Sequence, residues 1–398
     1  MGDGPAAASG GLGFPFIADH CPVWETEDVA LFREAARRFL QAEFAPHIDR
    51  WTKAGVIDKA AWAAAGAAGF LCPSIPEAYG GGGGTIAHHF AWLEEVERIT
   101  LGAAFGDGVH SGICAHYVLE YGTEPQKRQW LPPMARGEAV CAIGMTEPGT
   151  GSDLQSIKTR AVLDGADYVV NGQKTFITNG QNADLIVLVA KTDPAARAKG
   201  VSLVLVEMDR AGVSRGRNLE KIGMHAADTS ELFFEDVRVP AANILGGEAG
   251  KGFYQLMNQL PQERLLIAVG AVASMETSLA LTLDYVKQRQ AFGQAIFDFQ
   301  NTRHRLAEAV TEARVGRVFV DDCVKRLLEG RLDSKLASMA KYWATQKQNE
   351  VLDLCVQFHG GYGYMAEYPV ARMWADARVQ KIYGGTNEIM KELIARGL

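Results

Sequence analysis

The first third of the chain carries its hydrophobic residues at helical spacing. In residues 27–48 apolar side chains recur mainly at steps of three and four residues: Val29, Phe32, Ala36, Phe39, Leu40 and Phe44. Such spacing places them on one face of an amphipathic helix. The alanine-rich segment Lys59–Phe70 and the segment Ala87–Ile99 continue this character on either side of the loop Pro76–Gly84. The pattern predicts a helical region that extends to about Gly137.

Between residues 140 and 240 the pattern changes to short apolar runs divided by Asx-Gly pairs. Three runs are rich in β-branched residues, which favour strands over helices: Tyr168–Val170, Leu185–Val189 and Val201–Val206. Asx-Gly pairs supply the positive φ angles of tight hairpin turns, and three of them stand beside these runs: Asp164-Gly165, Asn171-Gly172 and Asn179-Gly180. No helical pattern alternates with the runs, so the segment predicts an antiparallel sandwich or barrel rather than a parallel βαβ sheet.

From Gly252 to the C-terminus the helical periodicity returns. It is interrupted near Pro261, in residues 292–299 and 329–332, and through the glycines of residues 360–363. These breaks predict about four or five long helices in succession, the pattern of a helical bundle. The chain is therefore expected to be a multi-domain α+β protein with four parts: a flexible tail at residues 1–24, a helical domain at 25–139, a middle β domain at 140–250 and a four-helix bundle at 251–398.

Composition narrows the range of functions. Hydrophobic residues make up 47% of the 398 residues and charged residues 22%, a balance typical of globular proteins with a sizeable core. The 40 Lys and Arg against 47 Asp and Glu give a net charge of −7, which argues against a general nucleic-acid or anionic-membrane binder. No run approaches the roughly 18 apolar residues of a membrane span. The opening residues resemble neither a secretory signal nor a mitochondrial transit peptide, so a cytoplasmic protein of bacterial type is expected.

Several familiar chemical motifs are missing or misplaced. The six cysteines are scattered without a C-x-x-C pair and the histidines lack ligand spacing, so no metal site is expected. The glycines of residues 361–366 match a loose dinucleotide fingerprint, but a helical pattern precedes them where a strand is required. Residues 247–252 resemble a phosphate loop in which the first glycine is misplaced and no Ser or Thr follows Lys251. No G-x-S-x-G elbow indicates a serine hydrolase.

Three glycine-containing motifs remain to be explained. They are GMTEPGTGSDLQS at Gly144–Ser156, the segment Gln357–Asp376, and KIYGGTNEIM at Lys381–Met390. Backbone N–H groups in a Gly/Ser/Thr loop can hold an anion or the polar edge of a cofactor. Glycines also let the backbone approach a ligand closely. From composition alone, a turn-rich connector is an equally good interpretation of the first motif.

Two of these motifs, Gly144–Ser156 and Gln357–Asp376, resemble the two signatures of the acyl-CoA dehydrogenases, flavoenzymes that desaturate acyl-CoA thioesters. The predicted domain order is similar to theirs, and the likeness runs from Asp28 to Leu398. Three segments look most like the long-chain branch: LPQERLLIA at Leu260–Ala268, SELFFED at Ser230–Asp236 and the C-terminal IYGGTNEIMKELIAR. The resemblance implies FAD-dependent α,β-dehydrogenation of acyl-CoA to trans-2-enoyl-CoA, as in fatty-acid β-oxidation. It also implies a homotetramer that passes electrons to an electron-transferring flavoprotein.

The resemblance assigns the catalytic base to Glu263. Many short- and medium-chain members carry their catalytic glutamate directly before Gly-Thr in the C-terminal motif, and that position is Gly384 here. Long-chain and isovaleryl-type members use a glutamate directly before an arginine on an earlier helix, which matches Glu263-Arg264. From the residues alone, Glu263 would also suit a first-turn acid after Pro261 that is favoured by the helix dipole.

The resemblance also implies cofactor and substrate contacts. Facing the flavin ring it implies Met145, Thr146, Phe176, Ile177 and Thr178, and near the pyrophosphate or the CoA it implies Gly151 and Ser152. Toward the adenosine diphosphate of a neighbouring subunit's FAD it implies Arg289, Phe292, Gln300, Gln357, Gly360 and Gly361, with Gly385, Thr386 and Glu388 closing on the same cofactor. At the substrate it implies Arg264, Gly384 and Ser152. Taken singly, the aromatic and arginine positions would also suit core packing or a surface ion pair.

Other functions on the same fold remain open at this point. An acyl-CoA oxidase or a flavin monooxygenase would share the motifs, although oxidases that resemble this family usually carry an added C-terminal domain. A flavin-binding homologue without catalysis is a third possibility, and the Glu263-Arg264 pair argues against it. The acyl chain length and the basic residues that contact CoA are not marked by any motif.

Overall fold

The computed structural model describes residues 20–398. Residues 1–19, which form most of the predicted tail, lie outside the described residues, whereas residues 20–24 are described. Trp24 is buried, and its indole N–H donates a 2.9 Å hydrogen bond to Asp321. The end of the predicted tail therefore belongs to the packed part of the chain.

Short helices form the N-terminal domain: α1 (Glu27–Phe39), α2 (Ile48–Ala54), α3 (Lys59–Ala67), α4 (Ile86–Arg98), α5 (Asp107–Val109), α6 (Ala115–Tyr121) and α7 (Glu124–Ala135). π-helical turns at Leu40–Phe44 and His110–Cys114 extend α1 and join α5 to α6. Helices this short are marginal on their own, so tertiary packing must hold them. An aromatic core does so, with Phe70 stacked on Trp92 at 5.0 Å between ring centroids.

The middle of the chain forms a seven-stranded sheet: β1 (Cys141–Gly144), β2 (Arg160–Asp164), β3 (Asp167–Thr178), β4 (Leu185–Lys191), β5 (Val201–Glu207), β6 (Val213–Asn218) and β7 (Thr229–Pro240). The strand order is β1-β4-β2-β3-β7-β6. Outside this order, β5 pairs antiparallel with β4. Most pairs are antiparallel, as predicted, but β4 runs parallel to both β1 and β2. The three predicted strand runs lie in β3, β4 and β5.

The three Asx-Gly pairs do not play the same role. Asp164-Gly165 closes the β2–β3 hairpin, as predicted. Asn171-Gly172 lies inside β3 at a bulge, where a side chain at position 172 would collide with Thr159. Asn179-Gly180 ends β3 with Asn179 at φ 64°, and the following strand pairs elsewhere. The prediction of three hairpin turns is therefore correct for one pair only.

The C-terminal region is helical: α8 (Gly252–Gln288), a hairpin of β8 (Gln290–Ala291) and β9 (Gln294–Ala295), α9 (Gln300–Leu328), α10 (Ser334–His359), α11 (Pro369–Ala377) and α12 (Asn387–Ala395). Three helices are long, with 37, 29 and 26 residues, and α11 and α12 have nine each, so the prediction of four or five long helices is too high. Pro261 lies inside α8 without ending it. Removing one backbone donor in a half-exposed turn is tolerated because the buried face of α8 supplies most of its stability.

A buried ion-pair network joins the N-terminal and C-terminal helices. Arg317 of α9 donates two hydrogen bonds to Glu276 of α8, at 2.8 and 2.7 Å, and a third to Glu94 of α4. Arg33 of α1 donates to the same Glu94 at 2.6 Å. Because each buried charge has a partner of opposite sign, the network fixes the packing of four helices without leaving an unpaired charge.

Helix α8 is the central core element. Among the described residues it alone is long and apolar enough to cross a membrane by length and composition, yet 83% of its most apolar window is buried inside the protein. Its apolar side chains pack with those of α4, α9 and α10 in one cluster. The length and hydropathy of α8 therefore reflect its position between the other helices.

Candidate active site

Glu263 lies in the fourth turn of α8 and is 6% exposed. The Tyr117 hydroxyl of α6 donates a 2.8 Å hydrogen bond to Glu263 Oε1. Burial raises the pKa of Glu263 to about 7, against the opposing effects of the Tyr117 hydrogen bond and the Arg264 charge. A carboxyl group with this pKa can accept a proton near neutral pH.

The neighbouring Arg264 is held by α10. Its Nη1 atom donates to Ser334 Oγ at 3.0 Å and to Ser338 Oγ at 3.2 Å. Burial lowers the pKa of the guanidinium, and its Nε atom has no hydrogen-bond partner within the described residues. Serine hydroxyls orient Arg264 without neutralising it, so a positive charge remains beside the base.

The Gly384 loop lies against α8 one turn beyond the base. Gly384 has a φ of 63°, and a Cβ atom there would collide with Ile267 Cδ1. Ile267 is four residues after Glu263 and therefore shares its helix face. Lys341 of α10 anchors the loop, because its buried Nζ donates to the Gly385 carbonyl at 2.7 Å and to Asn387 Oδ1 at 3.0 Å. The structure thus places Gly384 at the face of α8 that carries Glu263, one turn further along the helix.

The Thr386 side chain begins α12 directly after this loop. Its hydroxyl accepts a 3.3 Å hydrogen bond from the Ile389 N–H, which caps the helix. Glu388 is exposed in the first turn of α12. Gly385, Thr386 and Glu388 therefore sit at one helix terminus, at the end of the loop that carries Gly384.

The loop Gly144–Ser156 is fastened to the sheet through Glu147. This carboxylate accepts hydrogen bonds from the backbone N–H groups of Lys158 and Thr159 and from Lys174 Nζ at 2.6, 2.9 and 2.9 Å. Lys174 also donates to the Met145 carbonyl at 3.0 Å. The pair is buried, so the beginning of the loop is fixed to β3. Further along, Gly151 and Ser152 are exposed, with open space where a Gly151 side chain would stand.

A bulge in β3 presents an aromatic ring beside this loop. Phe176 has a φ of 59° and is 67% exposed, while Ile177 is buried and Thr178 pairs with β7. The Thr175 N–H donates to the Thr146 carbonyl at 2.9 Å, which joins the bulge to the loop. A non-glycine residue at positive φ is strained, and such strain persists where the surrounding structure imposes it. The bulge and the loop together offer a flat apolar surface with backbone groups at its edge.

Met145 connects this surface to the base. Its side chain packs on the apolar cluster that contains Cys114 and Tyr117, and Tyr117 is the hydrogen-bond donor to Glu263. The β-domain loop and the base therefore border the same group of helices.

A second group of predicted residues meets in a separate cleft. Arg289, Gln357, Gly360 and Gly361 line a space of about 710 Å³ between the end of α8, β8 and the end of α10. Among its described lining residues none comes from the β domain. Phe292 projects from the nearby β8–β9 turn at φ 52° and is 96% exposed, and Gln300 is exposed at the start of α9.

Sequence reasoning missed the residues that hold the candidate site residues in place. They are Tyr117, Glu147, Lys174 and Lys341, all of them buried. Glu147 lies inside the Gly144–Ser156 motif, so its position was the one available signal. The others act across long separations in the chain and have no local pattern.

Comparison with known proteins places the chain in a family. Three family models match it: the acyl-CoA dehydrogenase N-terminal domain at residues 26–138, the middle domain at 142–237 and the C-terminal domain at 250–398. This chain belongs to the acyl-CoA dehydrogenase family. The resemblance and fold class predicted from the sequence are confirmed.

Two relatives and one solved structure show how similar other acyl-CoA dehydrogenases are. The long-chain specific acyl-CoA dehydrogenase of Sus scrofa is 51% identical over 369 residues, which cover 92% of this chain and 85% of that protein. The isovaleryl-CoA dehydrogenase of Oryza sativa is 36% identical over 92% of this chain and 90% of that protein. The crystal structure of an acyl-CoA dehydrogenase from Geobacillus kaustophilus is 49% identical, with a TM-score of 0.92 over 95% of this chain and 99% of that chain.

Proposed function

We propose that this acyl-CoA dehydrogenase converts acyl-CoA thioesters to trans-2-enoyl-CoA with Glu263 as the base that removes the α-proton. The observation that carries the proposal is the environment of Glu263, a buried carboxyl group with a pKa near 7. The α-hydrogen of a thioester is weakly acidic, so its removal needs a carboxylate that is positioned and can be ionised at working pH. Gly384, which lies at the same face of α8 one turn further along, has no side chain to supply an alternative base.

The residues around the β3 bulge suit a flavin. The exposed Phe176 ring and the open space at Gly151 would be covered by a planar cofactor with a phosphate-bearing tail. Met145, Thr146, Phe176, Ile177 and Thr178 would hold its ring, and Gly151 and Ser152 its pyrophosphate or the CoA. FAD, when bound, supplies the acceptor for the hydride that leaves the β-carbon.

The second cleft supports a homotetramer in which subunits share cofactors. Its lining comes from the C-terminal helices, and no side chain fills the space beside Gly360 and Gly361. We assign it, with Phe292 and Gln300, to the adenosine diphosphate of a neighbouring subunit's FAD. Gly385, Thr386 and Glu388 would close on the same cofactor. The 96% exposed Phe292 ring on the nearby β8–β9 turn would be covered by that neighbouring subunit.

Different residues of this chain would remove the α-proton and stabilise the charge that develops on the substrate. Glu263 takes the α-proton, and the charge that develops on the thioester oxygen needs fixed donors nearby. The backbone N–H of Gly384 and the Arg264 guanidinium are the candidates for that role, with Ser152 toward the CoA. Because Glu263 and Arg264 are both buried, the apolar surroundings exclude water and strengthen these interactions.

We further propose a long acyl chain as substrate and an electron-transferring flavoprotein as acceptor. The support is the high identity to relatives named as long-chain specific acyl-CoA dehydrogenases. A cytoplasmic location is part of the same proposal. An acyl-CoA oxidase is the alternative, and it would transfer the electrons to oxygen and release hydrogen peroxide.

Anaerobic bleaching of the FAD-loaded protein tests this function. Palmitoyl-CoA is expected to bleach the flavin faster than butyryl-CoA or isovaleryl-CoA and to yield the 2-enoyl product. The bleaching rate is expected to rise with pH through about 7, because Glu263 must be ionised to accept a proton. No bleaching by any acyl-CoA at pH 8 would contradict the proposal, and peroxide production in air would favour the oxidase.

Lys174→Met is expected to raise the dissociation constant of FAD roughly tenfold or more. The change leaves the Glu147 carboxylate without its buried partner and frees the loop that carries Met145. Equilibrium titration with FAD measures the effect. Lys158→Met is the matched control, because Lys158 is exposed and holds Glu147 only through its backbone N–H. Equal affinities of the two variants would contradict the role given to Lys174.

A further inference from the structure

The segment that joins α5 to α6 lies directly against the base-bearing turn of α8. A Cβ atom at Gly112, inside the π-helical turn, would stand 2.8 Å from Leu266 Cδ1, so the absence of a side chain permits this close approach. Gln262 Nε2 donates a 3.1 Å hydrogen bond to the Gly112 carbonyl. The residue before the base is therefore hydrogen-bonded to the turn that leads directly into α6, the helix that carries Tyr117. π-helical turns of this kind are frequent at functional sites.

Tyr117 meets Glu263 at a defined atom. Its hydroxyl donates to Oε1 at 2.8 Å, and both side chains are buried. The Tyr117 ring packs in the apolar cluster with Cys114, so its position is set by packing as well as by the hydrogen bond. Within the described residues this is the one side-chain hydrogen bond that Glu263 accepts.

We propose that Tyr117 is a positioning residue for α-proton abstraction, which holds Glu263 through Oε1 and leaves Oε2 to receive the proton. The inference rests on the proposed function of Glu263 as the base. A buried carboxylate with one oxygen fixed has fewer side-chain conformations, so a larger fraction of them directs the free oxygen toward the substrate. The hydrogen bond also favours the ionised form over the neutral one, because a donated O–H bond to a charged acceptor is stronger.

The charged and titratable groups around Glu263 allow this role. Burial and the Glu263 charge raise the pKa of Tyr117, so the hydroxyl keeps its proton wherever Glu263 is ionised. Burial likewise raises the pKa of Cys114, which leaves that thiol neutral. Arg264, the next residue on α8, favours the charged carboxylate. Tyr117 is thus a permanent donor in this group.

Tyr117→Phe in the FAD-loaded enzyme tests the proposal by kinetics. We expect kcat to fall about tenfold with little change in KM, and the pH of half-maximal flavin reduction to rise by about one unit. Tyr121→Phe is the matched control, since Tyr121 lies one helical turn further and contacts Gln259. An unchanged rate and pH profile in Tyr117→Phe, or equal changes in both variants, would overturn the role of Tyr117.

A second readout does not depend on acyl-CoA chemistry. Because folding raises the pKa of Glu263 from 4.5 to about 7, stability is lost as pH rises between these values. The difference in unfolding temperature between Glu263→Gln and the wild type should therefore increase in favour of the variant from pH 4.5 to about 7, and stay constant above that pH. When both proteins also carry Tyr117→Phe, this difference should keep increasing to a higher pH, because loss of the hydrogen bond raises the pKa of Glu263. If the midpoint pH of this increase is the same with and without Tyr117→Phe, the hydrogen-bond role of Tyr117 is overturned. If the midpoint pH shifts but Glu263→Gln is still an active enzyme, only the assignment of Glu263 as the base is rejected.

Discussion

Glu263→Gln is expected to lower acyl-CoA-driven flavin reduction by about 10⁴-fold, the upper end of the effect of a general base. Glutamine keeps the size of the side chain and an oxygen that can accept from Tyr117, but it cannot take up a proton. FAD binding should be retained, since the predicted cofactor residues lie on other elements. Stopped-flow spectroscopy of the flavin band under anaerobic conditions measures the rate. The protein should remain yellow throughout.

The matched control for this variant is Asp284→Asn. Asp284 lies on the same helix, is exposed, and undergoes the same acid-to-amide change. Its rate of flavin reduction should equal that of the wild type. A Glu263→Gln enzyme that turns over normally would remove Glu263 from the mechanism, whatever the behaviour of the control.

Arg317→Met is expected to lower the free energy of unfolding by about 3–5 kcal/mol. The guanidinium is fully buried between Glu276 and Glu94, and its removal leaves Glu276 without its arginine partner and Glu94 with Arg33 alone. Met approximates the length of the removed side chain, so the effect reports the unpaired charges more than a cavity. Urea unfolding followed by tryptophan fluorescence measures the loss.

Arg326→Met provides the comparison on the same helix. Arg326 is half-exposed and its pair with Asp322, at 2.7 Å, is open to water, so its loss should change stability little. Adding Glu276→Gln to Arg317→Met should recover part of the stability, because one unpaired charge is removed. Equal stabilities of the Arg317 and Arg326 variants would contradict the role of the buried network.

Patterns within short segments predicted much of the architecture. The apolar face in residues 27–48 matches α1 and its π-helical extension, because burial of one face determines helix periodicity. The β-branched runs lie in β3, β4 and β5 for the corresponding reason. These features depend on neighbouring residues, which is why the fold class could be predicted correctly.

Features that depend on distant residues were not predicted. Asn171-Gly172 is typical of a turn, yet it forms a bulge within β3, at a position where Thr159 from another segment leaves no room for a side chain. Pro261 predicts a helix break, yet α8 continues through it, because the packing of the helix outweighs the loss of one backbone N–H donor. The parallel pairing of β1 with β4 likewise joins segments far apart in the chain.

The candidate site shows the same division. The Glu263-Arg264 pair and the Gly144–Ser156 loop could be assigned from motifs, and their roles stay predictions. The partner Tyr117 is 146 residues away from Glu263, so no local pattern indicates it. Lys341 anchors the Gly384 loop through the Gly385 carbonyl and the Asn387 side-chain oxygen, and no sequence motif marks it either.

Exchange of the α-hydrogen of an acyl-CoA in D₂O tests the role of Glu263 most directly, because it detects the proton transfer itself instead of the flavin colour. Mass spectrometry of a saturated acyl-CoA, kept anaerobically with the FAD-loaded enzyme, measures the exchange. The wild type should incorporate deuterium at the α-carbon, and Glu263→Gln should do so about 10⁴-fold more slowly. Exchange at the wild-type rate in Glu263→Gln would show that another group removes the proton.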